Sequence, residues 1–200
     1  MEIKENISLK PYNTFGINLS ASKFVEVNNS IELEEVLVDN EQPLLILGGG
    51  SNMLFTQNFD GLVIKNNIKG ITLLKEDEQD VVLKVGAGEI WHEFVMYCIV
   101  NNYAGVENLS LIPGNVGASP MQNIGAYGVE VKDLITEVEA FDLRDHTMKL
   151  FSNEECQFGY RSSIFKTSEK RPPTKKNRCD ICHLPPTPQK TSIPRKPGAK

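Results

Sequence analysis

The 200 residues suffice for one large domain or two small ones, and with 40% of them hydrophobic the chain can form a real core. The formal net charge of −5 is unevenly distributed, because residues 1–166 carry 12 Lys and Arg against 24 Asp and Glu, whereas residues 167–200 carry 9 against 2. Such an acidic body excludes a nucleic-acid-binding surface on residues 1–166.

The sequence also restricts the compartment. No basic run followed by an apolar segment opens the chain, so we expect no signal peptide. No apolar stretch is long enough to cross a membrane. Four Cys in a chain of this size do not predict a disulfide framework. We therefore expect a cytoplasmic, reduced and monomeric protein with no nucleic-acid or membrane partner.

The amino-terminal part predicts strands around one helix. Residues 23–27 alternate as a strand does. Ser30 is placed to cap a helix that runs to about Asn40. Residues 43–47 form an apolar run typical of a buried strand.

Three further strands are predicted, at residues 62–65, 71–74 and 81–85. A helix beginning near Glu89 has one apolar face, which is more typical of core packing than of a cofactor site. The members of that face are Trp91, Phe94, Val95 and Cys98.

Two glycine-rich segments follow predicted strands. Residues 48–52, Gly48-Gly49-Gly50-Ser51-Asn52, are called the glycine loop here. Its clustered backbone N–H groups could bind phosphate, although a plain tight turn explains the pattern equally well. Gly86-x-Gly88 resembles the start of a dinucleotide fingerprint, but Trp91 stands where the third glycine belongs, which excludes a Rossmann site.

Residues 108–128 form the central loop of the chain. Prolines and glycines interrupt it too often for a helix, yet it contains six apolar side chains and is not a polar linker. A long loop of this composition is typical either of a backbone that approaches a ligand closely or of a glycine-rich surface loop.

The sequence of residues 129–166 predicts a hairpin and contains one arginine of interest. Residues 134–143 and 148–151 pair as strands. Arg161 follows Tyr160 and has Phe158 and Phe165 nearby in sequence, so a partly desolvated guanidinium that binds anions is one interpretation. An ordinary surface arginine is the other.

Five motifs in order resemble the UDP-N-acetylenolpyruvoylglucosamine reductase family over residues 1–166. They are Asn13-Thr14-Phe15-Gly16, Leu47-Gly48-Gly49-Gly50-Ser51-Asn52, Ile112-Pro113-Gly114-Asn115-Val116-Gly117-Ala118-Ser119-Pro120, Gln122-Asn123-Ile124-Gly125-Ala126-Tyr127-Gly128 and Gly159-Tyr160-Arg161-x-Ser163-x-Phe165-Lys166.

The resemblance implies an α+β fold, the FAD-binding fold of the vanillyl-alcohol-oxidase/PCMH type. Two subdomains, residues 1–66 and an incomplete 67–166, would hold FAD, while the third, substrate-binding domain is missing. The implied catalytic residue is Arg161, and Tyr160 and Arg161 would contact substrate. The implied cofactor-binding residues are Gly48, Gly49, Gly50, Ser51, Asn52, Pro113, Gly114, Gly117, Ser119, Pro120, Asn123, Gly125, Ala126 and Tyr127.

The implied reaction belongs to peptidoglycan synthesis, and so to cell-wall biogenesis, cell shape and division. NADPH would reduce FAD, and the reduced flavin would convert UDP-N-acetylglucosamine enolpyruvate to UDP-N-acetylmuramate. Arg161 would stabilise the negative charge that develops on the substrate. A non-catalytic FAD-binding remnant and a different flavin oxidoreductase of the same fold are the alternatives, and the full Arg161 motif argues against the latter.

The resemblance stops after Lys166. The family's proton-donating serine lies in a later Gly-Ser-x-Phe-x-Asn-Pro-like motif and is assisted by a Glu near the carboxyl terminus, and neither motif occurs here. Residues 167–200 hold seven of the eleven prolines and no Phe, Tyr, Trp, Val or Met. We therefore expect a disordered, out-of-frame segment.

Two functional interpretations of that segment compete with this one. Cys179-x-x-Cys182-His183 matches a haem-attachment pattern and supplies three of the four ligands of a zinc site. The basic, proline-rich composition could also contact nucleic acid or an SH3-like partner. A segment without function, and no bound metal, is the preferred interpretation.

Overall fold

The computed structural model describes residues 1–38, 40–78, 80–143 and 145–166, together with the backbone of Cys182–His183. In chain order, its helices and strands are β1 (Lys4–Ser8), β2 (Ser20–Val27), α1 (Ser30–Val38), β3 (Leu44–Leu47), β4 (Phe59–Asn66), β5 (Ile71–Glu76), β6 (Val81–Val85), α2 (Trp91–Val100), β7 (Gly125–Ala126), β8 (Val129–Glu130), β9 (Glu137–Asp142), β10 (Thr147–Ser152) and β11 (Cys182–His183).

A four-stranded sheet in the order β1-β2-β4-β3 forms the amino-terminal part. β1 is antiparallel to β2, whereas β2 and β3 both run parallel to β4. One face carries Val25 and Ile64 against Leu33 of α1, and the other face buries Phe24 and Val63. Because parallel strands end at the same edge, the segments that leave β3 and β4 emerge side by side.

A second core is built mainly from later residues. The predicted apolar face of α2 is confirmed, since Trp91, Phe94, Val95 and Cys98 are all buried. It packs in one cluster with residues of the central loop and of the β9–β10 hairpin. The indole Nε1 of Trp91 donates to the carbonyl oxygen of Leu109 over 2.7 Å, which ties the helix to the central loop.

The predicted strands and both predicted helices are confirmed, with one local error. Asn29, not Ser30, caps α1, because the Oδ1 of Asn29 accepts from the amide of Glu32 over 2.9 Å. Glu32 reciprocates by accepting from the amide of Asn28 over 2.7 Å. The bond to Asn29 satisfies an amide that the first turn of a helix leaves free, and the bond from Asn28 fixes the residue that precedes the cap.

The predicted hairpin is also confirmed, as β9 and β10 pair antiparallel over six residues each. β11 pairs with the other side of β9. The remainder of the segment 167–200, including Cys179 and the side chains of Cys182 and His183, lies outside the described residues. In the described part of the chain, every helix is too short or too polar to cross a bilayer.

Candidate functional site

The glycine loop is closed on one side by the amino-terminal segment. Gly50 has a φ of +63°, and a Cβ at this position would lie 2.0 Å from the carbonyl oxygen of Tyr12. The amide of Thr14 donates to the carbonyl oxygen of Gly50 over 3.2 Å. Buried Asn13 fixes this wall through three hydrogen bonds to the backbone of its own segment. Only glycine fits at position 50.

The central loop closes the glycine loop on the other side. A Cβ added to Gly49 would lie 3.1 Å from the Cα of Gly114 and 2.8 Å from the Oδ1 of Asn115. A Cβ added to Gly114 would in turn lie 3.1 Å from the Oγ of Ser51. The structure therefore brings together two segments that the sequence singled out separately.

The amides of the glycine loop are available to a ligand. Within the described residues, the backbone N–H groups of Gly49 to Asn52 donate no hydrogen bond. The second glycine-rich segment differs, since the amides of Gly86 and Gly88 donate to the carbonyl oxygens of Gly70 and Ile68 over 2.7 and 2.8 Å. The glycine loop can thus bind an anion, whereas Gly86-x-Gly88 serves packing.

A lysine supports the glycine loop from the neighbouring strand. Lys65 lies beside Leu47 in the β3–β4 register, and its Nζ donates to the carbonyl oxygen of Gly48. Burial lowers the pKa of Lys65, and the nearby carboxylate of Glu26 opposes that shift. The ammonium group is therefore a partly desolvated cation next to the backbone of the glycine loop.

The central loop is anchored to the start of α2. The amide of Trp91 donates to the carbonyl oxygen of Gly114 over 3.0 Å, and the amide of Gly117 donates to Ala87 over 2.9 Å. The Nδ2 of Asn115 donates to the carbonyl oxygen of Gly88 over 2.8 Å. These bonds set the position of Gly114 against the glycine loop.

Ser119 carries an unsatisfied buried hydroxyl. Its side chain is 1% exposed, and its Oγ has no hydrogen-bond partner in the described part of the chain. A buried hydroxyl without a partner costs about 1–3 kcal/mol, so it indicates a missing polar contact. The glycine loop and the two segments that close it are called the cradle, in which a Cβ at Gly49 or Gly50 would have no room. The cradle and the unpaired hydroxyl of Ser119 together fit a polar, phosphate-bearing cofactor.

The other predicted cofactor residues differ in exposure. Pro120 is buried, Gly117 is half-buried and Pro113 is exposed. Gly125 and Ala126 form β7 of a small hairpin. Tyr127 follows at the tip, with a φ of +52° and a side chain that is 89% exposed.

The side chain of Asn123 is occupied by protein partners. It is 1% exposed, its Nδ2 donates to the carbonyl oxygen of Gly159 over 3.0 Å, and its Oδ1 accepts from the amide of Lys132 over 3.1 Å. It therefore links the central loop to the segment that contains Arg161.

Residues 159–162 form a tight turn, called the Tyr160–Arg161 turn. Gly159 and Ser162 exchange two backbone hydrogen bonds of 3.0 and 3.2 Å, and Arg161 has a φ of +52°. The Oγ of Ser163 donates to the carbonyl oxygen of Met121 over 2.8 Å, which fixes the base of the turn.

Of the two interpretations of Arg161, the structure agrees with an exposed arginine rather than with a partly desolvated one. Arg161 is exposed, Tyr160 is 88% exposed, and Phe165 is buried against Phe151 at 5.4 Å between ring centroids. A two-residue turn sends its central side chains outward, so neighbours in sequence do not surround them.

The sequence did not single out several supporting residues. Lys65 carried no local signal, because its contact with Gly48 depends on the parallel register of β3 and β4. Asn115 lay within a quoted motif, and its burial and side-chain bond now give it a structural role. His92 accepts a hydrogen bond from the amide of Leu111 at its Nδ1 over 3.2 Å, which is a further contact between α2 and the central loop.

Comparison with known proteins agrees with this geometry. Residues 22–150 match the family described as "FAD binding domain". A UDP-N-acetylenolpyruvoylglucosamine reductase of Flavobacterium johnsoniae is 51% identical over 171 residues, which is 85% of this chain and 51% of that protein. One of Shewanella sediminis is 50% identical, over 83% of this chain and 49% of that protein. The chain spans about half the length of these relatives.

Solved structures confirm the expected FAD-binding fold. The UDP-N-acetylenolpyruvylglucosamine reductase of Thermus caldophilus superposes with a TM-score of 0.70 at 26% identity, over 94% of this chain and 62% of that one. p-Cresol methylhydroxylase shares the fold with a TM-score of 0.58 at 16% identity, over 91% of this chain and 39% of that one. This chain therefore belongs to the FAD binding domain family, and its resemblance to UDP-N-acetylenolpyruvoylglucosamine reductases is confirmed.

Proposed function

We propose that this chain forms the FAD-binding part of an NADPH-dependent reductase that converts UDP-N-acetylglucosamine enolpyruvate to UDP-N-acetylmuramate in peptidoglycan synthesis. The observation that carries the proposal is the cradle, in which Gly114–Asn115 approach the glycine loop closely. The backbone amides of the glycine loop donate no hydrogen bond within the described residues. We also propose that the protein is a cytoplasmic monomer and that its substrate is a small molecule.

The residues of the cradle would hold the diphosphate of FAD. The free amides of Gly49 to Asn52 supply donors, and the close backbone contacts at Gly49 and Gly50 leave no side chain in the way. The hydroxyl of Ser119 supplies a further donor or acceptor from the central loop. When bound, FAD supplies the hydride chemistry, while the protein supplies position and electrostatics.

Arg161 and Tyr160 would act on the substrate. Hydride addition to the enolpyruvyl double bond places negative charge next to the substrate carboxylate, and a guanidinium stabilises such charge with several fixed donors. In the described part of the chain, the side chain of Arg161 makes no hydrogen bond or ion pair. The Tyr160–Arg161 turn thus presents a cation and a phenol to an incoming ligand.

A visible absorption spectrum of the purified chain tests the proposal. We expect flavin bands either as purified or after adding FAD and removing the excess. Addition of NADPH should then bleach the bands, and the enolpyruvyl substrate should restore them. A chain that stays colourless after added FAD would contradict the proposal.

A second candidate is a non-catalytic FAD-binding protein derived from the same family. The exposure of both Tyr160 and Arg161 favours it, because catalytic cations act most strongly in water-excluded sites. Turnover separates the two candidates. FAD binding with NADPH-dependent formation of UDP-N-acetylmuramate supports the reductase, and FAD binding without turnover supports the second candidate.

A further inference from the structure

The carbonyl groups of the glycine loop are anchored at alternate residues. The carbonyl oxygen of Gly48 accepts from Lys65 Nζ, and that of Gly50 accepts from the amide of Thr14 over 3.2 Å. Lys65 reaches Gly48 because the parallel register places it beside Leu47, the last residue of β3. Two separate parts of the chain therefore hold the glycine loop.

Anchoring a carbonyl also orients an amide. A trans peptide unit is planar, so the C=O of one residue and the N–H of the next point in opposite directions. The bond from Lys65 to the carbonyl of Gly48 therefore directs the N–H of Gly49 away from Lys65, and Thr14 does the same for the N–H of Ser51. These are two of the amides that donate no hydrogen bond within the described residues.

The charge of Lys65 strengthens the oriented amide. A hydrogen bond from a cation polarises the carbonyl that accepts it, and hydrogen bonds in series reinforce one another. The N–H of Gly49 thereby becomes a better donor to an anion on the opposite face. Lys65 is partly desolvated and forms no salt bridge in the described part of the chain, although the nearby carboxylate of Glu26 stabilises its charge.

We propose that Lys65 is a positioning residue that, by holding the carbonyl of Gly48, sets the glycine loop to bind the diphosphate of a dinucleotide. The proposal deepens the proposed function and rests on it. Lys65 itself lies on the face of the peptide opposite the ligand, so it acts through the amide of Gly49.

Lys69 provides a matched control. It lies four residues further on, and its Nζ pairs with Glu89 over 3.5 Å rather than with the glycine loop. Lys65→Met and Lys69→Met remove the same charge from the same region. Lys65→Arg keeps the charge and the donors, and should restore what Lys65→Met loses.

Ligand titrations test the proposal with three probes that differ in their phosphates. FAD and ADP carry the diphosphate, whereas riboflavin carries none. For Lys65→Met we expect the Kd of FAD and of ADP to rise about 10-fold, as for the loss of one charge-assisted hydrogen bond. Lys69→Met should stay within about 2-fold, and Lys65→Arg within about 3-fold, of the unaltered chain.

A spectroscopic readout needs no ligand. In the unliganded chain, Lys65→Met should shift the amide resonance of Gly49 towards a less polarised N–H, while Lys65→Arg and Lys69→Met leave it near its original position. Thermal unfolding of each variant monitors the fold.

Three results would overturn the proposal: equal losses in Lys65→Met and Lys69→Met, unchanged FAD and ADP affinity in Lys65→Met, or a loss of riboflavin affinity as large as that of FAD. If the unaltered chain binds FAD and any of these three results is obtained, the proposed role of Lys65 is contradicted but the proposed function is not. Failure of the unaltered chain to bind FAD or ADP contradicts the proposed function, and this inference with it.

Discussion

The glycine loop and the Tyr160–Arg161 turn are built in opposite ways. The glycine loop is enclosed by two distant segments, and it presents backbone amides. Among the described residues, the Tyr160–Arg161 turn is held at its base by Asn123 and Ser163 and at the carbonyl oxygen of Arg161 by the Nζ of Lys166, and it presents exposed side chains. The comparison indicates that a rigid backbone surface suits a resident cofactor, whereas outward side chains suit a ligand that arrives and leaves.

Gly50→Ala should have the largest effect if the glycine loop is rigid. The new Cβ would lie 2.0 Å from the carbonyl oxygen of Tyr12 at a φ of +63°. Overpacking and left-handed strain together should cost about 3 kcal/mol of unfolding free energy and weaken FAD binding roughly 100-fold. Urea unfolding and FAD titration measure both quantities.

Gly16→Ala separates strain from the clash. Gly16 has a φ of +64°, yet a Cβ there would have no neighbour within 4 Å. We expect a cost of about 1 kcal/mol and no change in FAD affinity. Equal effects of the two substitutions would contradict the enclosed geometry of the glycine loop.

Asn123→Asp should loosen the Tyr160–Arg161 turn by removing the hydrogen bond to the carbonyl oxygen of Gly159. The substitution keeps an acceptor for the amide of Lys132. It also replaces the group that donates to the carbonyl oxygen of Gly159 with a carboxylate oxygen, and the two oxygens repel each other. We expect a loss of about 2 kcal/mol and faster hydrogen exchange at the amide of Ser162, measured by mass spectrometry or NMR.

Asn153→Asp is the corresponding control. Asn153 also donates to two carbonyl oxygens, those of Lys132 and Ile135, over 2.7 and 2.6 Å. It should lower stability by a similar amount without selectively accelerating exchange at Ser162. Equal acceleration by both variants would show that the turn is not specifically held by Asn123.

Thiol labelling compares two sites in the second core, which contains both Cys98 and Cys156. Burial raises the pKa of Cys98 and of Cys156 to about 12. Between the ordinary thiol pKa near 9.0 and the folded value, the unfolded chain has lost protons that the folded chain retains. The stability contributed by these thiols is thus complete below pH 9 and falls as the pH rises towards 12.

The Cys179→Ser/Cys182→Ser variant retains only Cys98 and Cys156. At pH 8 we expect both thiols to react with a thiol reagent far more slowly than after denaturation. Cys156, whose carbonyl accepts the amide of Ile164 below the Tyr160–Arg161 turn over 3.0 Å, should label before Cys98. Faster labelling of Cys98 than of Cys156 would contradict this prediction.

Arg161→Met should have the smallest effect on stability. Arg161 is exposed and makes no side-chain hydrogen bond among the described residues, so stability should change by less than about 0.5 kcal/mol and the Kd of FAD by no more than about 2-fold. Under the proposed reductase function, turnover with the enolpyruvyl substrate should fall strongly. A large loss of FAD affinity would place Arg161 with the glycine loop instead.

Local patterns predicted β2 to β6, β9, β10, the two helices and both glycine-rich loops, because each has a signature within a few residues, whereas β1, β7 and β8 were not predicted. The contact of Lys65 with Gly48 could not be predicted, since it needs the pairing of two strands. Asn28, Asn29 and Ser30 can all cap a helix, so composition could not choose among them. The exposure of Arg161 followed from a turn geometry that aromatic neighbours in sequence did not reveal.

The two-sided enclosure of the glycine loop has a consequence for biosynthesis. Tyr12 closes it from one side and Gly114–Asn115 from the other, so a nascent chain acquires the complete cradle only after about the first 115 residues have left the ribosome. We expect flavin incorporation to follow, rather than guide, assembly of the first sheet. Scarcity of FAD during translation should therefore leave an assembled apoprotein rather than an unfolded chain.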